Sequence, residues 1–166
     1  MIRKSQEARG RSVNLSFQVS ENNLLNITDE HPETWEEAIR VAGKVMKQDK
    51  LVTDDYIDSV IADVKKYGPY IVIVPGVAMP HSKADSEGVL GTGIGLTILP
   101  EPVSFDESDP DKSAKLFFML AAKDNNTHVK NIAHLSDMLM EDNMIDDLSK
   151  VKNLDDYKAV MKKHNM

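Results

Sequence analysis

The stretch Tyr70–Leu99, YIVIVPGVAMPHSKADSEGVLGTGIGLTIL, decides how the chain is read. Tyr70 to Val74 is a β-rich apolar run that enters a Pro75-Gly76 break, and the short apolar step Val77, Ala78, Met79 stops abruptly at Pro80-His81. Proline fixes its own φ and offers no N–H to a ladder, so the pattern predicts that a strand gives way to a loop at His81. After a polar connection, Val89 to Leu99 resumes as a strand. Leu90, Thr92, Ile94, Leu96 and Ile98 fall on one of its faces and Gly91, Gly93 and Gly95 on the other. Three glycines on one face predict that another group approaches the backbone closely there.

Helices flank this stretch. Asp29 to Glu33 introduces the first: Pro32 suits a first turn, Thr34 offers a cap, and Glu36 and Glu37 sit where the macrodipole favours acids. Trp35, Ile39, Ala42, Val45 and Met46 then recur at helical spacing, and Trp35, as the head of that stripe, reads as core rather than as a stacking platform. Leu51-Val52-Thr53 leads to a second helix capped by Thr53 or Asp54, with Ile57, Val60, Ile61 and Val64 on one face and Lys65-Lys66 at its C-terminal end. Upstream, residues 1–12 are basic and polar and read as a flexible arm, and Val13 to Val19 alternates as a short edge strand would. Residues 1–30 are thus assigned to an N-terminal extension and 31–166 to one domain.

Downstream, Glu101-Pro102-Val103 and the acidic loop Asp106 to Lys112 read as an exposed excursion. Its carboxylates lack the ordered ligand spacing and turn glycine of a calcium loop, so no metal is expected. Ala114 to Ala122 is nearly continuous apolar sequence of strand length, as in an inner strand covered on both sides, with a buried helix fragment as the alternative. Asn126 or Thr127 caps a helix with Val129, Ile132, Ala133, Leu139 and Met140 at apolar positions, which places His128 in its first turn. Helical pieces at Met144–Leu148 and Asp155–Lys163 close the chain. Strands alternating with helices predict an α/β layered domain with a central mixed sheet flanked by helices.

At 166 residues, 41% hydrophobic and 28% charged, the composition is that of an ordinary single globular domain. A net charge of -7 and a pI near 5.2 disfavour a general nucleic-acid binder. The longest apolar runs fall short of the roughly 20 residues that span a bilayer, and the N-terminus has no apolar signal core, so cytoplasmic residence is the default. There is no cysteine, hence no disulfide, thiolate nucleophile or thiolate metal site.

Gly68-Pro69-Tyr70-Ile71-Val72-Ile73 and Pro75 to His81, taken with WEEAIRVAGKVM, LVTDDYIDSVI and HVKNIAHLSDML in order, resemble the IIA domain of the mannitol/fructose type in the bacterial phosphoenolpyruvate-dependent sugar phosphotransferase system, nearest its ascorbate-like branch. The resemblance covers roughly residues 33–162 and implies that family's sandwich fold. It implies a phosphocarrier that takes phosphate on His81 from the phosphohistidine of the carrier protein HPr and passes it to a cysteine of a IIB partner. It further implies a second histidine beside the first, at His128 rather than His134, and a basic residue near the phosphoryl group at Lys65. Membrane association would be indirect, through the IIB and IIC components, and no cofactor is implied. Where some mannitol-type members carry an acidic residue six positions before the histidine, this chain has Pro75, which favours the ascorbate-like branch.

The chemistry agrees with that role. Imidazole is nucleophilic near neutral pH and its phosphorylated form passes the group on readily. It needs one free ring nitrogen, the other held by a hydrogen bond, and donors for the phosphoryl oxygens, among which Ser82 is a candidate through hydroxyl or backbone. His31 and His164 have no supporting context in the sequence. Two other readings remain: a regulatory module of the same fold that uses His81 phosphorylation as a signal, and a binding module that uses the glycine face as a small-molecule cleft. Exposed apolar residues near the motif, such as Val77 and Met79, are expected to meet protein partners.

Overall fold

The computed structural model describes residues 24–166. Five strands form one mixed sheet: β1 (Leu25–Ile27), β2 (Val72–Val74), β3 (Gly76–Ala78), β4 (Gly93–Ser104) and β5 (Ser113–Ala121), in the order β1-β4-β5-β3-β2. β1 runs parallel to β4, β4 antiparallel to β5, β5 parallel to β3, and β3 antiparallel to β2. The helices are α1 (Trp35–Gln48), α2 (Asp54–Tyr67), α3 (Asn125–Leu139), α4 (Met144–Ser149) and α5 (Leu154–Lys163). Among the described residues no helix is long and apolar enough to cross a membrane.

β5 shows why the fold has three layers. Its side chains alternate across the pleat: Phe117, Met119 and Ala121 join the α1–α2 core, whereas Leu116, Phe118 and Leu120 join the core built with α3, α4 and α5. A strand buried on both faces needs no polar positions, which settles Ala114 to Ala122 as strand rather than helix. On the α1–α2 side, Ile39, Ala42, Met46, Ile57, Val60 and Val64 are buried, and Trp35 stacks on Phe105 with ring centroids 5.6 Å apart, so it is a packing residue. On the other side Leu135, Met138, Leu148, Tyr157 and Met161 cover the sheet. His164 ties the last helix to this layer, with its ring nitrogens 3.2 Å from Glu141 and 2.9 Å from Asp147.

The glycine face is occupied by protein. Cβ atoms added at Gly91 and Gly93 would lie 2.9 Å and 2.5 Å from the Leu51 side chain, and one at Gly95 would lie 3.0 Å from both Val45 and Met46. The glycines let α1 and the turn after it settle onto the sheet, so that among the described residues protein side chains take up the space at that face.

Several boundaries differ from the sequence reading. Leu24 is buried and β1 pairs with Leu96 to Ile98, so the sheet reaches into the segment assigned to the extension, while Val13 to Val19 and residues 1–12 lie outside the described residues. Pro32 precedes the helix, whose cap is Thr34 accepting from the Glu37 N–H. Thr53 sits at the cap of α2 without a side-chain cap bond. Asp124, not Asn126 or Thr127, caps α3, because its carboxylate accepts from the Thr127 N–H. Val89 makes only an isolated bridge to Val52, and β4 starts at Gly93. At its far end β4 continues through Glu101 to Val103, where a register irregularity absorbs Pro102 and keeps the strand paired to β5.

Because Gly95 abuts Val45 and Met46, Gly95→Val overpacks the α1–sheet interface and lowers stability by about 1–3 kcal/mol in urea unfolding. An unchanged midpoint would show that α1 does not rest on that face.

Candidate active site

Backbone hydrogen bonds on both flanks lead the chain to His81. Met79 N–H donates to the Ile71 carbonyl at 2.8 Å, and the Pro80 carbonyl accepts from Leu120 N–H at 3.0 Å, so both residues stay in line with the sheet after β3 ends. Val77 and Met79 are buried at 0% and 1% exposure, which removes them as partner contacts. Their side chains anchor the strand beneath α3 to α5 instead.

His81 Nδ1 lies 2.6 Å from the Met79 carbonyl oxygen. A carbonyl only accepts, so Nδ1 carries the proton and Nε2 of the neutral ring keeps its lone pair. Tyr70 donates its hydroxyl to the His81 carbonyl at 2.8 Å and sets its ring edge-on to the imidazole at 5.6 Å. Burial and the phenol's charged surroundings push Tyr70 up to about 12, so it remains a donor. The next residue is held at three points: Ser82 N–H donates to Tyr56 Oη at 2.9 Å, its hydroxyl donates to Asp63 at 2.7 Å, and its carbonyl accepts from His128 Nε2–H at 2.8 Å.

His128 is 5% exposed, projects from the first turn of α3, and packs its ring edge-on to His81 with centroids 5.6 Å apart. Its Nε2–H donates to the Ser82 carbonyl, and its buried Nδ1 has no hydrogen-bond partner among the described residues. The two imidazoles share a cavity of about 360 Å³ with Asp63, Tyr67, Tyr70, Ser82, Lys83 and Ile132.

The sequence-nominated residues thus divide. His81, His128 and Ser82 meet in one cavity, although both donors of Ser82 already bond within the protein. Lys65 is exposed in the last turn of α2 and does not line the cavity; Lys83 does. His134 is half-buried and also lies outside the lining, and His31 pairs with Glu101 at 3.3 Å on the surface. The sequence reading missed Tyr56, Asp63 and Tyr70. Tyr56, Val60 and Asp63 stand at i, i+4 and i+7, so one stripe of α2 carries two polar groups to the site, a signal hidden by reading only its apolar face. Among the described residues no group of three or more histidines and carboxylates is placed to hold a metal ion.

Burial holds the His81 pKa below the ordinary histidine value and the neighbouring His128 adds to this, against the opposing effects of the Met79 carbonyl and Asp63. The ring is therefore neutral at pH 7. An NMR titration is expected to place the His81 midpoint below about 6.5. A midpoint at or above the ordinary value would contradict the burial argument.

The chain is similar to known proteins over most of its length. The family profile described as "Phosphoenolpyruvate-dependent sugar phosphotransferase system, EIIA 2" matches residues 19–164. The ascorbate-specific PTS system EIIA components of Escherichia coli K12 and Salmonella typhimurium are each 34% identical over 116 residues, 70% of this chain and 73% of theirs. A putative PTS IIA domain from Streptococcus pyogenes superposes with a TM-score of 0.80 at 31% identity, covering 92% of this chain and 96% of that one. The mannitol enzyme IIA of Escherichia coli, solved in complex with its phosphorylated enzyme IIB, superposes with a TM-score of 0.70 at 28% identity over 83% of this chain and 94% of that one. A sheet sandwich that presents two facing histidines, matched over most of its length by these proteins, identifies the chain as a member of the EIIA type 2 family, an EIIA component of a sugar phosphotransferase system with ascorbate-specific relatives.

Proposed function

We propose that His81 is the phosphoryl carrier of this component, taking the group from the phosphohistidine of HPr and giving it to a cysteine of a IIB protein. The observation that carries the reading is the Met79 carbonyl on Nδ1, because it leaves a lone pair on Nε2 in a cavity shared with a second histidine. In the first step the Nε2 lone pair attacks phosphorus while the donor's N–P bond breaks and its electron pair returns to the donor ring. In the second a cysteine thiolate attacks, an S–P bond forms, and the His81 N–P bond breaks to restore the neutral ring. No redox change and no cofactor enters either step.

His128 is the residue we assign to phosphate stabilisation. Its Nε2–H rests on the Ser82 carbonyl in the unphosphorylated protein, and a phosphoryl oxygen on His81 competes for that donor. Lys83 on the cavity wall adds positive charge. The ascorbate-specific relatives favour an ascorbate-like sugar as the one served, and the enzyme IIA–IIB complex among the structural neighbours favours a IIB protein as recipient. The chain works at the cytoplasmic side and meets the membrane only through IIB and IIC.

Incubation with radiolabelled phosphoenolpyruvate, enzyme I and HPr is expected to give an acid-labile label that chases onto IIB. His81→Ala abolishes the label, and His128→Ala slows its transfer by about a hundredfold. Label that persists in His81→Ala would overturn the assignment, and label on His81 that never reaches any IIB would favour the regulatory role.

A further inference from the structure

The loop that carries His81 begins where a parallel strand pair is interrupted by one hydroxyl group. β3 and β5 pair in parallel with Val77 opposite Leu116 and Ala78 opposite Phe117, and continuing that register sets His81 opposite Leu120. In a parallel ladder the residue opposite His81 donates to the carbonyl before it and accepts from the N–H after it. The first of these bonds is present, Leu120 N–H to the Pro80 carbonyl at 3.0 Å. The second would join Ser82 N–H to the Leu120 carbonyl. Instead Tyr56 Oη stands between them: it accepts from Ser82 N–H at 2.9 Å and donates to the Leu120 carbonyl at 2.6 Å.

We propose that Tyr56 is a positioning residue, a hydroxyl wedge that takes the place of the next rung of the β3–β5 ladder and so turns the chain at His81 out of the sheet and towards the cavity. The inference rests on the reading of His81 as phosphoryl acceptor, but its geometry is independent of it. Tyr56 is fully buried on α2, so the wedge is held from behind by the helix. Asp63, two turns further along α2, secures the Ser82 hydroxyl at 2.7 Å, and the Ser82 carbonyl receives His128. The wedge therefore governs the placement of both rings: His81 through its peptide bond to Ser82, and His128 through the carbonyl of Ser82. Tyr56 touches no reacting atom. A direct Ser82–Leu120 bond would draw the Ser82 peptide back to β5 and shift the carbonyl that orients His128.

Tyr56→Phe keeps the buried ring and removes only the wedge. In the phosphorelay the variant, assayed well below its unfolding temperature, is expected to lose about tenfold or more in kcat for transfer, since small misplacements of a reacting group have effects of that size. Its KM for phospho-HPr is expected to stay within about twofold, because docking does not involve a buried phenol. A kcat within about twofold of the parent, or a loss confined to KM, overturns the proposal. Scalar coupling across hydrogen bonds gives a second readout on the unaltered protein, independent of whether the variant folds. The Ser82 nitrogen and Leu120 carbonyl carbon are expected to show no coupling, and a measurable coupling between them means the rung is closed and the wedge does not exist. Unlabelled His81 in the parent protein would refute the phosphocarrier reading while leaving that coupling result to decide the wedge.

Discussion

A single hydrogen bond, from His81 Nδ1 to the Met79 carbonyl oxygen 2.6 Å away, sets the chemistry of this site. With Nδ1 committed as a donor, the neutral imidazole has one tautomer, and its nucleophilic atom is Nε2. That commitment depends in turn on a fixed carbonyl. Met79 is buried, its N–H is bonded to Ile71, and the following Pro80 carbonyl is bonded to Leu120, so the acceptor moves only if the end of the sheet moves. The hydrogen-bond ladder, built for stability, thus becomes the ruler that aims a side chain.

The second histidine follows from the same economy of backbone groups. Ser82 has all three of its polar groups engaged, by Tyr56, Asp63 and His128, each from a helix on one or the other side of the sheet. α2 reaches the loop from the layer that also holds α1, and α3 reaches it from the opposite layer. Each of these part-buried groups loses a hydrogen bond if the loop moves, so the loop resists local rearrangement despite its lack of regular structure. Burial keeps His81 neutral, and that neutrality is what nucleophilic attack requires.

Much of this was legible in the chain. Apolar runs broken at Pro75-Gly76 and Pro80 placed β2, β3 and the loop, and the near-continuous apolar run of β5 announced a strand covered on both faces. Glycines at 91, 93 and 95 told of a close approach, although not that α1 and Leu51 would fill the space. Strand ends were less legible. β4 runs through Pro102 because a bulge removes the need for that residue's N–H, a tertiary accommodation that local propensity opposes. Within the site, both histidines were found from their motifs. Tyr56 and Asp63 were not, because a polar group on a mostly apolar helix face has meaning only once the residue opposite it is known. The Lys65 expectation came from the family resemblance, and a helix turns about 100° per residue, so that position 63, not 65, faces the cavity.

Which ring nitrogen bears phosphorus is the most direct measure of this account. After phosphorylation of uniformly ¹⁵N-labelled protein, the phosphorus–nitrogen coupling is predicted on Nε2 of His81, with Nδ1 still protonated against Met79. Coupling on Nδ1, or on any other histidine, would contradict it.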